Sequence, residues 1–383
     1  AVSLDLRRNH RPWPVRGYTA RWPYSLMRDG AIAFSEIDMT VNPRMWVAAL
    51  RVIPRIDKAE FDRLDPFARW LIATRGAVLV MTFLSATLGG LFAALAGQFN
   101  AGYYILVAVG LVIAHGASNL FNDYWDYKQG VDTDNYFRAQ YGPHPLVAGL
   151  FTEKQLLTWA IGTTLVPVAI GLYLAWVQGP LVLLFAVLGG FVMMSYAGKP
   201  FPLKYLGLGE PAVFLTWGPL MVGGSYFCIT GTLPLWVIVA SFPYALGTTG
   251  VLFGKHIDKI ADDTMKEIHT LPVLLGERRA RAASIGIFAL MYILIIPLVL
   301  IGWLPWLVLL VFLSLPRARL AVKVFRLPKP AGPPEGYPTG SWPLWFVGFA
   351  FVLNRDYGGL LMISLLAAVI LLVLGVPHPY LYL

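Results

Sequence analysis

An all-α polytopic membrane protein of about nine spans is the fold class this sequence predicts, and three observations carry that prediction. Of 383 residues, 57% are hydrophobic and 13% charged, and the mean hydropathy of +0.63 exceeds that of soluble domains. Nine apolar stretches are long enough for transmembrane helices. The charged residues between those stretches fall on alternate connections, as they do where one side of a bilayer retains Lys and Arg.

Residues 1–66 form a polar, aromatic and Pro-containing arm, with an amphipathic stretch at Met45–Ile53 expected against lipid headgroups. The first thirty residues hold no continuous apolar core, so no cleavable signal is read and the N-terminus is expected in the cytoplasm. A transmembrane domain over 67–383 follows. Its spans are expected near 74–97, 102–124, 154–177, 180–197, 210–230, 234–254, 278–301, 304–324 and 355–376, with Trp342–Leu353 as a re-entrant or interfacial helix. The turns at Gln98–Ala101, Gln178–Pro180, Gly231–Leu233 and Gly302–Leu304 are uncharged. The opposite loops carry Lys128, Arg138, Lys154, Lys199, Lys204, Lys255, Lys259, Lys266, Arg278 and the run Arg317–Lys329. These basic loops are expected on the cytoplasmic face, and an odd number of spans puts the C-terminus on the far side.

Composition also excludes. The formal net charge of +9 lies between apolar spans, which favours lipid headgroups and phosphate-bearing ligands over nucleic acid. The single cysteine, Cys228, sits within a span and can form neither an internal disulfide nor a thiolate metal site. No nucleotide-binding loop or nucleophile triad is present.

Two acidic clusters fall at the same ends of spans two and six. In the first, Asn119, Asn122, Asp123 and Asp126 follow an i, i+3, i+4, i+7 pattern and share one helical face, with Asp132 and Asp134 beyond. In the second, Asp258 and Asp262 are four apart, followed by Asp263. Facing carboxylates in a low-dielectric site repel unless a cation lies between them. Mg²⁺ binds through a few carboxylates together with substrate phosphates, so the two clusters together predict a Mg²⁺–diphosphate site. The plainer alternative is a pair of solvated helix ends, their acids and bases matched at the surface.

Asn-Asp-x-x-Asp at 122–126 and Asp-x-x-x-Asp at 258–262 are similar to the two Asp-rich motifs of the UbiA superfamily of intramembrane aromatic prenyltransferases. The segments NDYWDYKQGVD at 122–132, HPLVAG at 144–149 and KPFPLKYLGLGEPAVFLTWGPLMVGGSY at 199–226 resemble the 1,4-dihydroxy-2-naphthoate, or menaquinone-pathway, branch. The resemblance covers residues 70–300 best. It implies helices around a central cavity, the acidic motifs under cytoplasmic cap loops, and a multi-pass position in a bacterial-type cytoplasmic membrane. Departures are visible: Gly130 stands where many members carry a third Asp, and Gly-Lys-His-Ile precedes Asp258 where Asn and Arg are more usual.

The resemblance implies transfer of a polyprenyl group from its diphosphate to an aromatic acceptor, 1,4-dihydroxy-2-naphthoate first, with Mg²⁺ assisting ionisation. Asp126, Asp258 and Asp262 are then the expected catalytic residues. Asn122, Asp126 and Asp132 would hold one Mg²⁺ and Asp258 and Asp262 a second, with Asp123 and Asp263 beside them. Asn119, Asn122, Arg138, Lys199, Lys204, His144 and Tyr196 are the expected contacts to diphosphate or acceptor. Tyr124, Trp125, Tyr127, Phe201 and Tyr205 stand near enough in sequence to shield a carbocation, although an interfacial aromatic belt also explains them. The Asp cluster, His144 and His256 remain alternative bases for the acceptor proton. Other readings are 4-hydroxybenzoate, homogentisate or a tetrapyrrole as acceptor, a silent lipid- or quinone-binding subunit, or a transporter. A transporter would place ionisable groups at mid-membrane, where only His115 qualifies.

Overall fold

The computed structural model describes residues 41–131, 142–337 and 341–376, and every regular element within them is helical. Three short helices come first: α1 (Pro43–Arg51), α2 (Lys58–Arg63) and α3 (Pro66–Ala73). Each starts at a residue whose side-chain oxygen accepts a first-turn amide: Asn42 from Met45, Asp57 from Glu60 and Asp65 from Ala68. Asp65 also takes the Asn42 amide and the Trp46 indole N–H at 3.1 Å, which ties α1 to α3. Burial pushes the Asp65 carboxyl up, but these donors outweigh burial and hold it below the ordinary carboxylate range. Within the amphipathic stretch, Ala49 turns inward while Val47 and Leu50 stay exposed.

The spans follow as α4 (Gly76–Leu95), α5 (Ala101–Lys128), α6 (Glu153–Gln178), α7 (Leu181–Ser195), α8 (Gly209–Thr230) and α9 (Leu235–Asp258). Short helices α10 (Ile260–Met265) and α11 (Leu271–Leu275) lead into α12 (Glu277–Leu300). A 3₁₀ stretch at Trp306–Ser314 runs into α13 (Leu315–Phe325), and α14 (Phe346–Val373) closes the chain's described part. Successive spans are neighbours and α14 returns to pack on α4, while α9 packs along both α12 and α14. Outward faces of α6 and α7 carry Leu165, Leu172, Trp176, Leu184, Val187 and Phe191 exposed. An apolar surface of that extent is stable in lipid and not in water. The molecule is an integral, multi-pass membrane protein.

Seven of the described helices, α4, α5, α6, α8, α9, α12 and α14, are long and apolar enough to cross a bilayer. The two other expected spans take different forms. α7 has 15 residues. The stretch 304–324 is divided, because Pro316 is confined to a first helical turn and so fixes where α13 begins. The segment expected as a separate interfacial helix at Trp342–Leu353 instead feeds straight into α14, which runs unbroken through Asn354, Arg355 and Asp356. That polar triplet is tolerated because Asn354 is buried beside Gly247 of α9, while Asp356 turns out to meet Arg317 at 3.1 Å.

α8 is not uniform. Its middle, Thr216–Gly223, is a π-helix containing Pro219. Proline has no N–H for the carbonyl one turn back and its ring crowds that carbonyl, so the ladder widens there. Gly218 in this segment brings α8 against α9: a Cβ at that position would stand 2.7 Å from the Ala245 Cβ.

Candidate active site

The C-terminal turns of α5 meet four other segments. Asn119 Nδ2 donates to the Thr74 carbonyl at 2.7 Å, and the Arg75 guanidinium donates to the Asp123 carboxylate. Arg75 is itself left-handed, with φ of 59°, in the turn that opens α4. Asn119 and Asp123 therefore hold the start of α4 against α5. One turn on, Asp126 accepts both ways from Lys204 Nζ at 2.6 and 2.7 Å, and from the Tyr205 hydroxyl at 3.2 Å. Lys204 lies in a 3₁₀ turn at Leu203–Leu206 and is buried, as is Asp126. Asn122 Oδ1 is buried on the same α5 face with no hydrogen-bond partner among the described residues.

The second cluster is arranged differently. α9 ends at Asp258 and Lys259 leaves helical geometry at φ −122°, ψ 19°, so Asp262 belongs to α10 and not to a continuing helical face. Both Asp258 oxygens are engaged: Phe346 N and Val347 N donate to them at 3.0 Å, which caps α14, and Lys329 Nζ lies 3.3 Å away. Asp263 is fully buried and pairs with Lys259 at 2.8 Å. Burial first, and then the neighbouring Asp263 charge, push the half-buried Asp262 carboxyl up, against the opposing pull of Lys259 and Lys329. One basic group of α9 spans the clusters. Lys255 feels Arg75, Lys259, Lys204 and Asp126 together, and it makes no hydrogen bond or ion pair among the described residues. Behind it, His256 Nδ1 and Glu210 Oε1 meet at 2.6 Å, both side chains buried.

The sequence pattern of the UbiA prenyltransferase family matches residues 83–337, a stretch that contains both clusters and the helices presenting them. The chain belongs to the UbiA prenyltransferase family. A 1,4-dihydroxy-2-naphthoate octaprenyltransferase from Bacillus subtilis (strain 168) is 27% identical over 253 residues, covering 66% of this chain and 80% of that protein. The protein of the same name from Mycobacterium tuberculosis is 30% identical over 247 residues, covering 63% and 80%. A 2-carboxy-1,4-naphthoquinone phytyltransferase from Synechocystis sp. is 26% identical, with 65% and 80% covered. Among solved structures, a UbiA homolog from Archaeoglobus fulgidus bound to GPP and Mg²⁺ superposes with a TM-score of 0.52 at 14% identity, covering 78% of this chain and 99% of that one. One from Aeropyrum pernix K1 gives 0.50 at 18% identity, with 77% and 98% covered. Those two likenesses establish the UbiA fold.

Within this UbiA chain, Asn119, Asn122, Asp123, Asp126, Lys204 and Tyr205 come together at the end of α5. Tyr196 lies within electrostatic range of Glu210, Lys259 and Asp126. Lys199 and Phe201 are exposed. His144 is buried, and its Nδ1 accepts from the Leu146 and Val147 amides at 3.2 and 3.3 Å, capping its own turn. Asp132 and Arg138 lie outside the described residues. Arg75, Lys255 and Glu210 are the functional candidates that motif reading passed over. Among the described residues no three His, Cys, Asp or Glu side chains gather as a metal site. The α5 half nonetheless fits a hard divalent cation, since the unpartnered Asn122 amide oxygen and the Asp126 carboxylate share one face.

Proposed function

We propose that this chain transfers a polyprenyl group from a polyprenyl diphosphate to an aromatic acceptor, with 1,4-dihydroxy-2-naphthoate as the first candidate, and that the reaction is Mg²⁺-dependent. The observation that carries the proposal is the meeting of Asn122 and Asp126 with Lys204, Lys255 and Arg75 at the ends of α5 and α9. Oxygen donors on one side and cations on the other match a diphosphate and its counter-ion. The naphthoate activity named for the Bacillus and Mycobacterium relatives and the Mg²⁺ and GPP of the Archaeoglobus homolog support this reading.

Each residue then has work to do. Asn122 and Asp126 would hold Mg²⁺, with the half-buried Asp262 of the second motif as a further candidate ligand. When bound, the ion neutralises charge that develops on the departing diphosphate. Lys255, with no hydrogen bond or ion pair among the described residues, offers its ammonium to the phosphate oxygens, while Lys204 is held on Asp126. Asp258 caps α14 and so positions the wall beside the second cluster. The isoprenoid chain would run between the apolar helices, and the basic loops with the site would face the cytoplasm.

The test is a transfer assay on full-length protein in lipid, with a long prenyl diphosphate, 1,4-dihydroxy-2-naphthoate and Mg²⁺, and with EDTA and Asp126→Ala as controls. Prenylated, decarboxylated product that vanishes in both controls supports the proposal. Product with 4-hydroxybenzoate alone would reassign the acceptor. Mg²⁺-dependent diphosphate binding without turnover on any phenol would overturn the enzyme reading in favour of a silent binding subunit.

A further inference from the structure

Val131 lies between Gly130 and Asp132, and Ile268 between Glu267 and His269, both in polar connections outside the apolar spans. Both are nonetheless buried. They pack on each other, and Ile53, Tyr205 and Leu344 pack against them. Five segments distant in sequence thus meet in one small apolar cluster, separate from the core between the helices. The cluster is seated on both acidic groups. The Val131 amide donates to the Asp126 carbonyl and the Ile268 amide to the Asp263 carbonyl, each at 2.8 Å. Lys266 Nζ donates to the Gly130 carbonyl at 3.1 Å and joins the two connections. Leu344 stands two residues before Phe346, whose amide donates to Asp258. Tyr205 has its ring in the cluster and its hydroxyl on Asp126.

Ile53 is brought there by the helices on either side of it. α1 is seated on the head of α4, where a Cβ on Gly76 would come 3.1 Å from the Ala49 carbonyl. The chain leaves α1 through Val52 in extended geometry. Ile56 then packs into the group formed by Phe61, Leu146 and their neighbours. Ile53 is held between these two anchors, half-buried on the cluster. Ile53 and Leu344 both lie outside residues 83–337, so parts of the chain beyond the family pattern complete the cluster.

We infer that Ile53 is a positioning residue for the transfer reaction, closing an apolar clasp over the two acidic groups, an inference that rests on the transfer reading above. The clasp fixes the Tyr205 ring, so that its hydroxyl and the adjoining Lys204 are presented to Asp126. It also keeps bulk water from the site. When the allylic C–O bond breaks, its electron pair leaves with the diphosphate, and the allylic carbon bonds to the nucleophile beside it. A ring carbon that then loses its proton or carboxyl group gives prenylated product. A water oxygen that then loses a proton gives a prenol instead. An open clasp therefore diverts substrate to the alcohol.

The experiment uses the full chain in lipid with geranylgeranyl diphosphate, 1,4-dihydroxy-2-naphthoate and Mg²⁺, and measures prenol and prenylated product in the same reaction. Ile53→Ala and Leu344→Ala should each raise the share of prenol roughly fivefold to tenfold, and Ile53→Val by roughly twofold at most. Tyr205→Phe keeps its ring in the clasp, so it should raise the KM for prenyl diphosphate and leave the prenol share at the parent level. Hydrogen exchange of the amides over 203–206 and 266–269 reads closure without turnover. It should quicken in Ile53→Ala and stay at the parent rate in Tyr205→Phe. A prenol share unchanged in both alanine variants, whatever their stability, would overturn the inference while leaving transfer intact. A parent that yields neither product nor prenol counts against the transfer reading, and exchange in Ile53→Ala at the parent rate would then overturn the clasp as well.

Discussion

Arg75 and Asp123 give the sharpest prediction. Their side chains are 7% and 1% exposed, so each charge is held away from water by its partner. Removing one member of a buried pair takes from the other its opposite charge and costs about 3–5 kcal/mol, whereas replacing both with apolar groups is often close to neutral. Arg75→Met and Asp123→Asn should therefore each destabilise the protein by about that amount. Arg75→Met/Asp123→Leu should lose less than either single change, a strongly non-additive cycle. Backbone geometry adds an internal control. Arg75 is left-handed, a conformation that costs a side-chain-bearing residue about 1–2 kcal/mol and glycine almost nothing. Arg75→Gly should sit above Arg75→Met by about that margin. The measurement is reversible unfolding in mixed micelles, followed by tryptophan fluorescence. Additive single effects, or singles below 1 kcal/mol, would show that the pair does not hold α4 to α5 and would return Asp123 to the cation site.

Three further outcomes are expected. Lys255→Met should raise the KM for prenyl diphosphate about tenfold and leave the acceptor KM alone, because among the described residues its ammonium has no hydrogen-bond or ion-pair partner to release; steady-state kinetics with each substrate varied decides this. Asp258→Ala should cost about 1–2 kcal/mol in the same unfolding assay through loss of the α14 cap, with diphosphate affinity changed less than threefold. The Asp65 carboxyl is held low in the folded state, so its contribution is present above the unfolded pKa of about 3.9 and lost as pH falls through the lower folded value. Unfolding measured down the acid limb should be steeper for the parent than for Asp65→Asn, and identical slopes would refute the assignment.

Much of this architecture is legible in the sequence because apolar runs in a membrane protein are read against a fixed bilayer thickness. The run at 154–177 matches α6 closely, and its start is marked by a capping box of Thr152 and Gln155. The face formed by Asn119, Asn122 and Asp126 follows from periodicity alone, since α5 continues as a regular helix to Lys128. Periodicity misleads at Asp258 and Asp262, where the helix breaks at Lys259 with no Gly or Pro to announce it. Partners distant in sequence are invisible in the same way. Lys329 reaches Asp258 across 71 residues, and Glu210 reaches His256 across 46. Arg75, a lone basic residue at the head of an apolar run, reads as a topology-setting flank until its guanidinium is seen on Asp123.

The balance of charge in the site bears on why a divalent ion belongs to the proposed reaction. Around the ends of α5 and α9, the formal charges of Arg75, Lys204, Lys255 and Lys259 are matched by those of Asp123, Asp126, Glu210 and Asp263. Three of those cations are already committed to named carboxylates, which leaves Lys255 facing an arriving diphosphate. One ammonium does not offset a polyanion in surroundings where charge is weakly screened. The Asn122 oxygen and the Asp126 carboxylate attract positive charge, so they cannot bind the phosphate directly either. Diphosphate and oxygen donors become compatible only when counter-ions enter with the substrate. On that proposal Asp262 would be the adjustable member of the site: its carboxyl, pushed up by burial and by Asp263, would ionise most readily with a cation beside it. Ligand affinity and the protonation of that one residue are then linked, each drawing the other along.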